Sequence, residues 1–168
     1  MAEKKPGVAT VLKGWQWRDD RTLGKLIIAP VDFAIDASWL KAAGVSLLWM
    51  CLGKDTAFFN QISEQVMDVA RAASLRTVEW SASVPSWAQT PEHEAFESIW
   101  RELDGGGGVL AFCIRSRHRS VASTYCWLKC CLGLTHDSCL AILRQHPLQR
   151  WSDISFRAPL ESRAPRKL

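Results

Sequence analysis

The sequence predicts an α/β protein, with a mostly parallel central sheet of four to five strands in a three-layer arrangement flanked by helices. Three observations carry this expectation. Apolar runs at Leu26-Ile27-Ile28-Ala29, Val45 to Cys51 and Val109-Leu110-Ala111-Phe112 read as strands buried on both faces, as central parallel strands are. Other segments repeat their apolar residues at helical spacing. The two kinds alternate along the chain, the pattern of parallel strands joined by helical crossovers.

Residues 1–24 are polar, with Lys, Gly and Asp interspersed, and predict an irregular lead-in. Leu26 to Pro30 predicts the first strand. Asp36 is an N-cap acid for a short helix through Ala43, stopped by Gly44. Val45 to Cys51 predicts a second strand. Phe59, Ile62, Val66, Val69, Ala70 and Ala73 fall on one face of a helix over 58–73. Arg76 to Trp80 predicts a third strand, followed by a loop at 81–91 that carries Pro85 and Pro91. Pro91 opens a helix through Phe96, Ile99, Trp100 and Leu103, ended by Gly105 to Gly108, which read as a flexible turn. Val109 to Phe112 is the fourth strand, and the helix after Cys113 runs to about Leu132. A further helix spans 137–145, and Ile154-Ser155-Phe156 predicts one more strand. One α/β domain over 25–156 and a loose basic tail over 157–168 complete the organisation.

The chemistry concentrates in Cys113-Ile114-Arg115-Ser116-Arg117-His118-Arg119-Ser120. A thiol, five residues, an arginine and a hydroxyl between a buried strand and a helix start suit the binding of a phosphate. Backbone N–H groups and the positive end of the helix face inward, and a guanidinium offers a planar fork for two oxygens. The same field favours thiolate over thiol, which makes Cys113 a candidate nucleophile. Six cysteines give about 0.06 chance matches to Cys-x5-Arg-Ser/Thr, and only Cys113 satisfies it. The plainer alternative is a buried structural cysteine beside a solvated basic turn.

Composition narrows the classes. With 168 residues, 48% of them hydrophobic, the chain can bury a core of ordinary domain size. A net charge of +4 is compatible with anionic ligands without requiring nucleic acid. No apolar run approaches a membrane span, and Met-Ala-Glu-Lys-Lys-Pro has no apolar core of a secretory signal. Six cysteines then imply free thiols in a reducing, cytoplasmic setting. No metal or cofactor is expected, since Cys126, Cys130 and Cys131 have no matching His/Cys pair elsewhere. The nine tryptophans are spread along the chain and read as packing residues.

On the Cys113–Ser120 motif the chain resembles the cysteine-dependent protein tyrosine phosphatase superfamily, nearest its compact dual-specificity branch. The wider resemblance covers 25–146: the strand at 26–30, the Leu40 to Val45 step, the proline-bearing loop and a last helix before His146-Pro147. It implies that Cys113 attacks phosphorus, Arg119 binds the phosphoryl oxygens and Ser120 stabilises the thiolate. Backbone amides of Ile114, Arg115, Ser116, Arg117, His118 and Arg119 would complete the cradle. The sequence departs from the family pattern at three places. Phe112 stands where histidine is common, and Ser116 where a glycine is usual. Aligning Val84-Pro85 with the family's acid loop puts Ser81 in place of the aspartate that protonates the leaving oxygen; Glu79 and Glu92 are the nearby substitutes.

The extra cations Arg115, Arg117 and His118 imply a substrate rich in phosphate: a phosphoprotein, a phosphoinositide, a polyphosphorylated small molecule or an RNA 5′ end. Pyrophosphate-type leaving groups need less protonation, so the missing aspartate bears on substrate as well. His118-Arg119-Ser120-Val121 is also similar to the cysteine loop in the C-terminal domain of bacterial RNase adapter proteins, which implies binding of a phosphorylated ligand without hydrolysis. RNA binding through Arg115, Arg117 and the tail is a third reading, although the spread tryptophans do not form a stacking platform.

Overall fold

The computed structural model describes residues 8–17, 23–52, 57–83 and 89–164. Val84-Pro85, residues 1–7 and 18–22 of the lead-in, and residues 165–168 of the tail lie outside the described residues. Five strands, β1 (Thr10–Val11), β2 (Lys25–Pro30), β3 (Val45–Met50), β4 (Arg76–Glu79) and β5 (Gly108–Cys113), form one sheet in the order β1-β2-β5-β3-β4. All neighbours are parallel except β1, which pairs antiparallel with β2. Helices flank the sheet: α1 (Val31–Ala34), α2 (Ala37–Ala42), α3 (Ala57–Ala72), α4 (Glu92–Asp104), α5 (Arg119–Leu132), α6 (His136–Leu143) and α7 (Arg157–Glu161). The predicted α/β class is the observed one.

Burial explains why these segments hold. All six residues of β5 are buried, and β2 is buried from Leu26 to Pro30, as expected for strands covered on both faces. Trp49 and Trp127 are fully buried yet polar-satisfied, their indole N–H groups donating to the carbonyls of Trp80 (3.0 Å) and Phe96 (3.2 Å). Asp36 caps α2 by accepting from the Trp39 amide at 2.9 Å. Gly133 closes α5 in the left-handed conformation at φ 67°. Register then sets the working end of the sheet. Pro30 pairs with Cys113 across β2 and β5, and Met50 with Phe112 across β3 and β5. Three chains therefore leave the sheet side by side at Pro30, Cys113 and Cys51.

The structure corrects four expectations. The lead-in is not irregular throughout, because Thr10–Val11 cover the free edge of β2, and the Leu12 amide donates to the Leu26 carbonyl at 2.8 Å. Its polar composition hid Leu12 and Trp15, each 1% exposed. Ile154-Ser155-Phe156 is not a strand: a 3-10 turn at Trp151–Asp153 precedes it, and the Ile154 amide bonds locally to the Trp151 carbonyl. The tail is not wholly loose, since α7 buries Leu160 and the Arg163 guanidinium donates to both Glu92 carboxylate oxygens at 2.6 Å. The glycines before β5 are also more than a flexible turn. A Cβ on Gly108 would lie 2.3 Å from the Gly44 carbonyl oxygen, and one on Gly107 would lie 2.3 Å from Glu102 Oε1.

Gly108→Ala must therefore push two backbones apart at the start of the central strand. We expect it to lower stability by about 1–3 kcal/mol in urea unfolding, with the slope of the transition unchanged.

Candidate functional site

β5 delivers Cys113 to the carboxyl edge of the sheet, the usual ligand position in parallel α/β folds. Five residues later the chain enters α5, whose first residue is Arg119 and second is Ser120. The turn between them needs a residue with positive φ, and Ser116 takes it at φ 55°. Ser116 thus adopts the conformation for which a glycine is usual, at a cost of about 1–2 kcal/mol. Its surroundings over-determine it. Ser116 is fully buried, its Oγ lies 3.3 Å from Ser120 Oγ, and its carbonyl accepts from His146 Nε2 at 3.1 Å. From the outer side, the Arg150 amide donates to the Arg117 carbonyl at 2.9 Å.

The inner face of this turn is polar and unspent. Among the described residues, the N–H groups of Ile114 to His118 donate to no other part of the chain. No side chain caps the amino end of α5. Cys113 is 5% exposed, with its Sγ 3.3 Å from Ser120 Oγ. Cys113, Ile114, Arg115, Arg117, His118 and Arg119 line one cavity of about 320 Å³, closed by Leu52 and Phe59. The Arg119 guanidinium lies 4.9 Å from the Phe59 ring centroid, and its Nη1 is buried without a hydrogen-bond partner. A buried guanidinium N–H with no acceptor is costly unless an anion supplies one. Arg115, Arg117 and His118 are exposed at the mouth. Across the sheet, burial and the neighbouring Cys113 push the Cys51 thiol well above its ordinary range, so Cys51 stays protonated.

The carboxylate side is different. No carboxylate lines this cavity among the described residues. Ser81 is fully buried, its amide donating to Gln89 Oε1 at 2.7 Å and its Oγ 3.1 Å from Ser83 Oγ. Glu92 is held in the Arg163 fork beside Cys126. Glu79 accepts a long bond from Ser63 Oγ at 3.5 Å. The three candidate acid positions are thus each engaged with other parts of the fold, away from the cavity lining. Among the described residues, no group of His, Cys, Asp or Glu is arranged to hold a metal ion, and no helix is long and apolar enough to cross a membrane.

Sequence reasoning missed His146. It is fully buried, and besides Ser116 it contacts Thr10, whose Oγ1 lies 2.8 Å from Nδ1. A carbonyl at Nε2 requires the N–H there. Burial keeps the ring neutral near pH 7, so Nδ1 accepts from the threonine hydroxyl, and the imidazole braces the turn from behind. Its place just after α6 gave no signal, because the partner carbonyl is thirty residues away.

No family model matches the sequence, and no curated protein is similar to it. The fold, however, is that of the dual-specificity and tyrosine phosphatases. A mouse putative dual specificity phosphatase, complexed with zinc tungstate, aligns with a TM-score of 0.60 at 19% identity over 96% of this chain and 88% of that one. The kinase associated phosphatase, with its catalytic-site cysteine substituted by serine, aligns with a TM-score of 0.60 at 15% identity, over 96% and 99%. The Yvh1 phosphatase domain from Chaetomium thermophilum gives 0.52 at 16%, over 92% and 94%.

Burial lowers the His146 pKa to about 4, below its ordinary 6.5, against a smaller opposing pull from the Ser116 carbonyl. The unfolded chain therefore binds the proton more readily, and stability falls as pH drops from 6.5 towards 4. Thermal unfolding between pH 7 and pH 4.5 should show a loss of about 2–3 kcal/mol that His146→Gln removes, the variant being less stable at pH 7.

Proposed function

We propose that the protein is a cysteine-dependent phosphohydrolase that acts through a cysteinyl-phosphate on phosphoesters or phosphoanhydrides whose leaving group needs no protein acid. The observation that carries this reading is the buried, unpartnered Nη1 of Arg119, a residue that lines one cavity together with Cys113. A phosphoryl group seated there accepts from Arg119 and from the amides of Ile114 to His118. Ser120 Oγ, 3.3 Å from the sulfur, donates a hydrogen bond that stabilises the thiolate. The thiolate attacks phosphorus, a sulfur–phosphorus bond forms, and the bond to the leaving oxygen breaks with its electron pair. Water then attacks the cysteinyl-phosphate, releasing inorganic phosphate and regenerating the thiol.

The leaving oxygen departs as an anion, because Ser81 cannot protonate it near neutral pH. Aryl phosphates and phosphoanhydrides tolerate this; simple alkyl phosphates do not. The arginine-rich mouth suits a substrate carrying more than one negative charge. Among the described residues no carboxylate lines the cavity, which also favours a second reading, a module that captures a phosphorylated ligand without turnover.

One experiment separates the two. Under the enzyme reading, purified protein hydrolyses an aryl phosphate, Cys113→Ser abolishes the activity, and Arg119→Ala lowers kcat/KM by about 100-fold or more. Protection of Cys113 from alkylation by inorganic phosphate, with no hydrolysis of any ester, selects the binding module instead.

A further inference from the structure

A second cavity, of about 520 Å³, lies against the same loop. It shares Ile114, Arg115 and Arg117 with the cavity that holds Cys113. Both volumes fall within the usual range of small-molecule sites, roughly 300–1,000 Å³. Their linings differ in kind. The first ends in a thiol and a buried guanidinium. The second is walled by Val31, Ile35, Ile62 and Leu148, with Asp32 and Gln65 as polar groups. Ile35 is 39% exposed, one of the few large apolar side chains left open to solvent. Among the described residues no aromatic side chain lines this trough.

The two arginines border both spaces, which places two cationic side chains on the seam between a phosphate cradle and an aliphatic trough. A polyhydroxylated body such as an inositol or a sugar would leave its hydroxyls against hydrocarbon, at a cost per unpaired group of about 1–3 kcal/mol. An aliphatic body gains from the same walls.

We propose that the pair of cavities takes a diphosphate monoester of an aliphatic alcohol. This rests on the phosphohydrolase reading above and names its substrate class. The terminal phosphoryl group sits over Cys113, the inner phosphate meets Arg115 and Arg117 on the seam, and the hydrocarbon lies along Val31, Ile35, Ile62 and Leu148. Such a substrate also answers the missing acid. The Cys113 thiolate attacks the terminal phosphorus, the P–O–P bridge breaks, and the electron pair leaves on the inner phosphate. That leaving group is an alkyl monophosphate, whose second ionisation lies at about 6, so it departs at neutral pH without a proton donor. Water then cleaves the sulfur–phosphorus bond. The products are the alkyl monophosphate and inorganic phosphate.

The test uses calorimetry on full-length Cys113→Ser protein, with geranyl diphosphate and inorganic pyrophosphate as probes. Geranyl diphosphate should bind at least about 10-fold more tightly than pyrophosphate, the discrimination one apolar group commonly gives. Adding Ile35→Gln, which changes an exposed residue outside the cradle, should remove most of that preference and leave pyrophosphate affinity within about 2-fold. Wild-type protein should release one inorganic phosphate per geranyl diphosphate. Equal affinity for the two probes, or a preference that Ile35→Gln leaves intact, overturns the trough assignment while the cradle stands. Pyrophosphate binding that Arg119→Ala leaves unchanged overturns the cradle, and the trough assignment with it.

Discussion

Between Cys113 at the end of β5 and Arg119 at the start of α5 the chain must turn within five residues. That turn requires a left-handed residue, and Ser116 at φ 55° is the one that supplies it. The strain is offset by contacts from three directions: Ser120 from the helix, His146 from behind α6, and complete exclusion of water from Ser116 itself. The shape of the cavity lining depends on this turn. If Ser116 relaxed to an ordinary helical or extended conformation, the path from Cys113 to Arg119 would change, and with it the lining the two residues share.

The sheet makes the turn worth holding. β5 is hydrogen-bonded on both sides, to β2 and β3, so Cys113 leaves from the strand with the least freedom to move. Cys51 lies at the matching end of β3, where its amide donates to the Phe112 carbonyl at 2.9 Å. Two thiols thus share one edge of the sheet. Burial keeps Cys51 neutral, while Cys113 lines a cavity bordered by three arginines.

Much of this was legible in the chain. The strands at 26–30, 45–50 and 109–112 declared themselves because both faces are covered, and α2 because Asp36 and Gly44 bracket it. The Cys113–Ser120 loop was legible because its residues are contiguous. What escaped notice depends on distant partners. Thr10–Val11 are a strand only because β2 offers a free edge, and the tail after α7 is held because Glu92, seventy-one residues earlier, meets Arg163. The pairing of Glu92 was hidden in the same way. Glu92 is near Ser81 in sequence, yet the fold commits its carboxylate to the tail. No local pattern reports such long-range pairings.

Thr10, Ser116 and His146 join into a single relay, and its geometry has a mechanical meaning. One imidazole touches both the edge strand β1 and the turn that follows β5. The edge strand is short, with only two paired residues, and so it belongs to the least secure part of the sheet. Occupation of the cradle would fasten it, because any ligand that fixes the Ser116 carbonyl also fixes the ring on which Thr10 rests. Were the loop after β5 to hold a phosphate, peeling away the first dozen residues would by reciprocity loosen that hold at a point more than a hundred residues downstream, and the amino-terminal edge would register whether the site is filled.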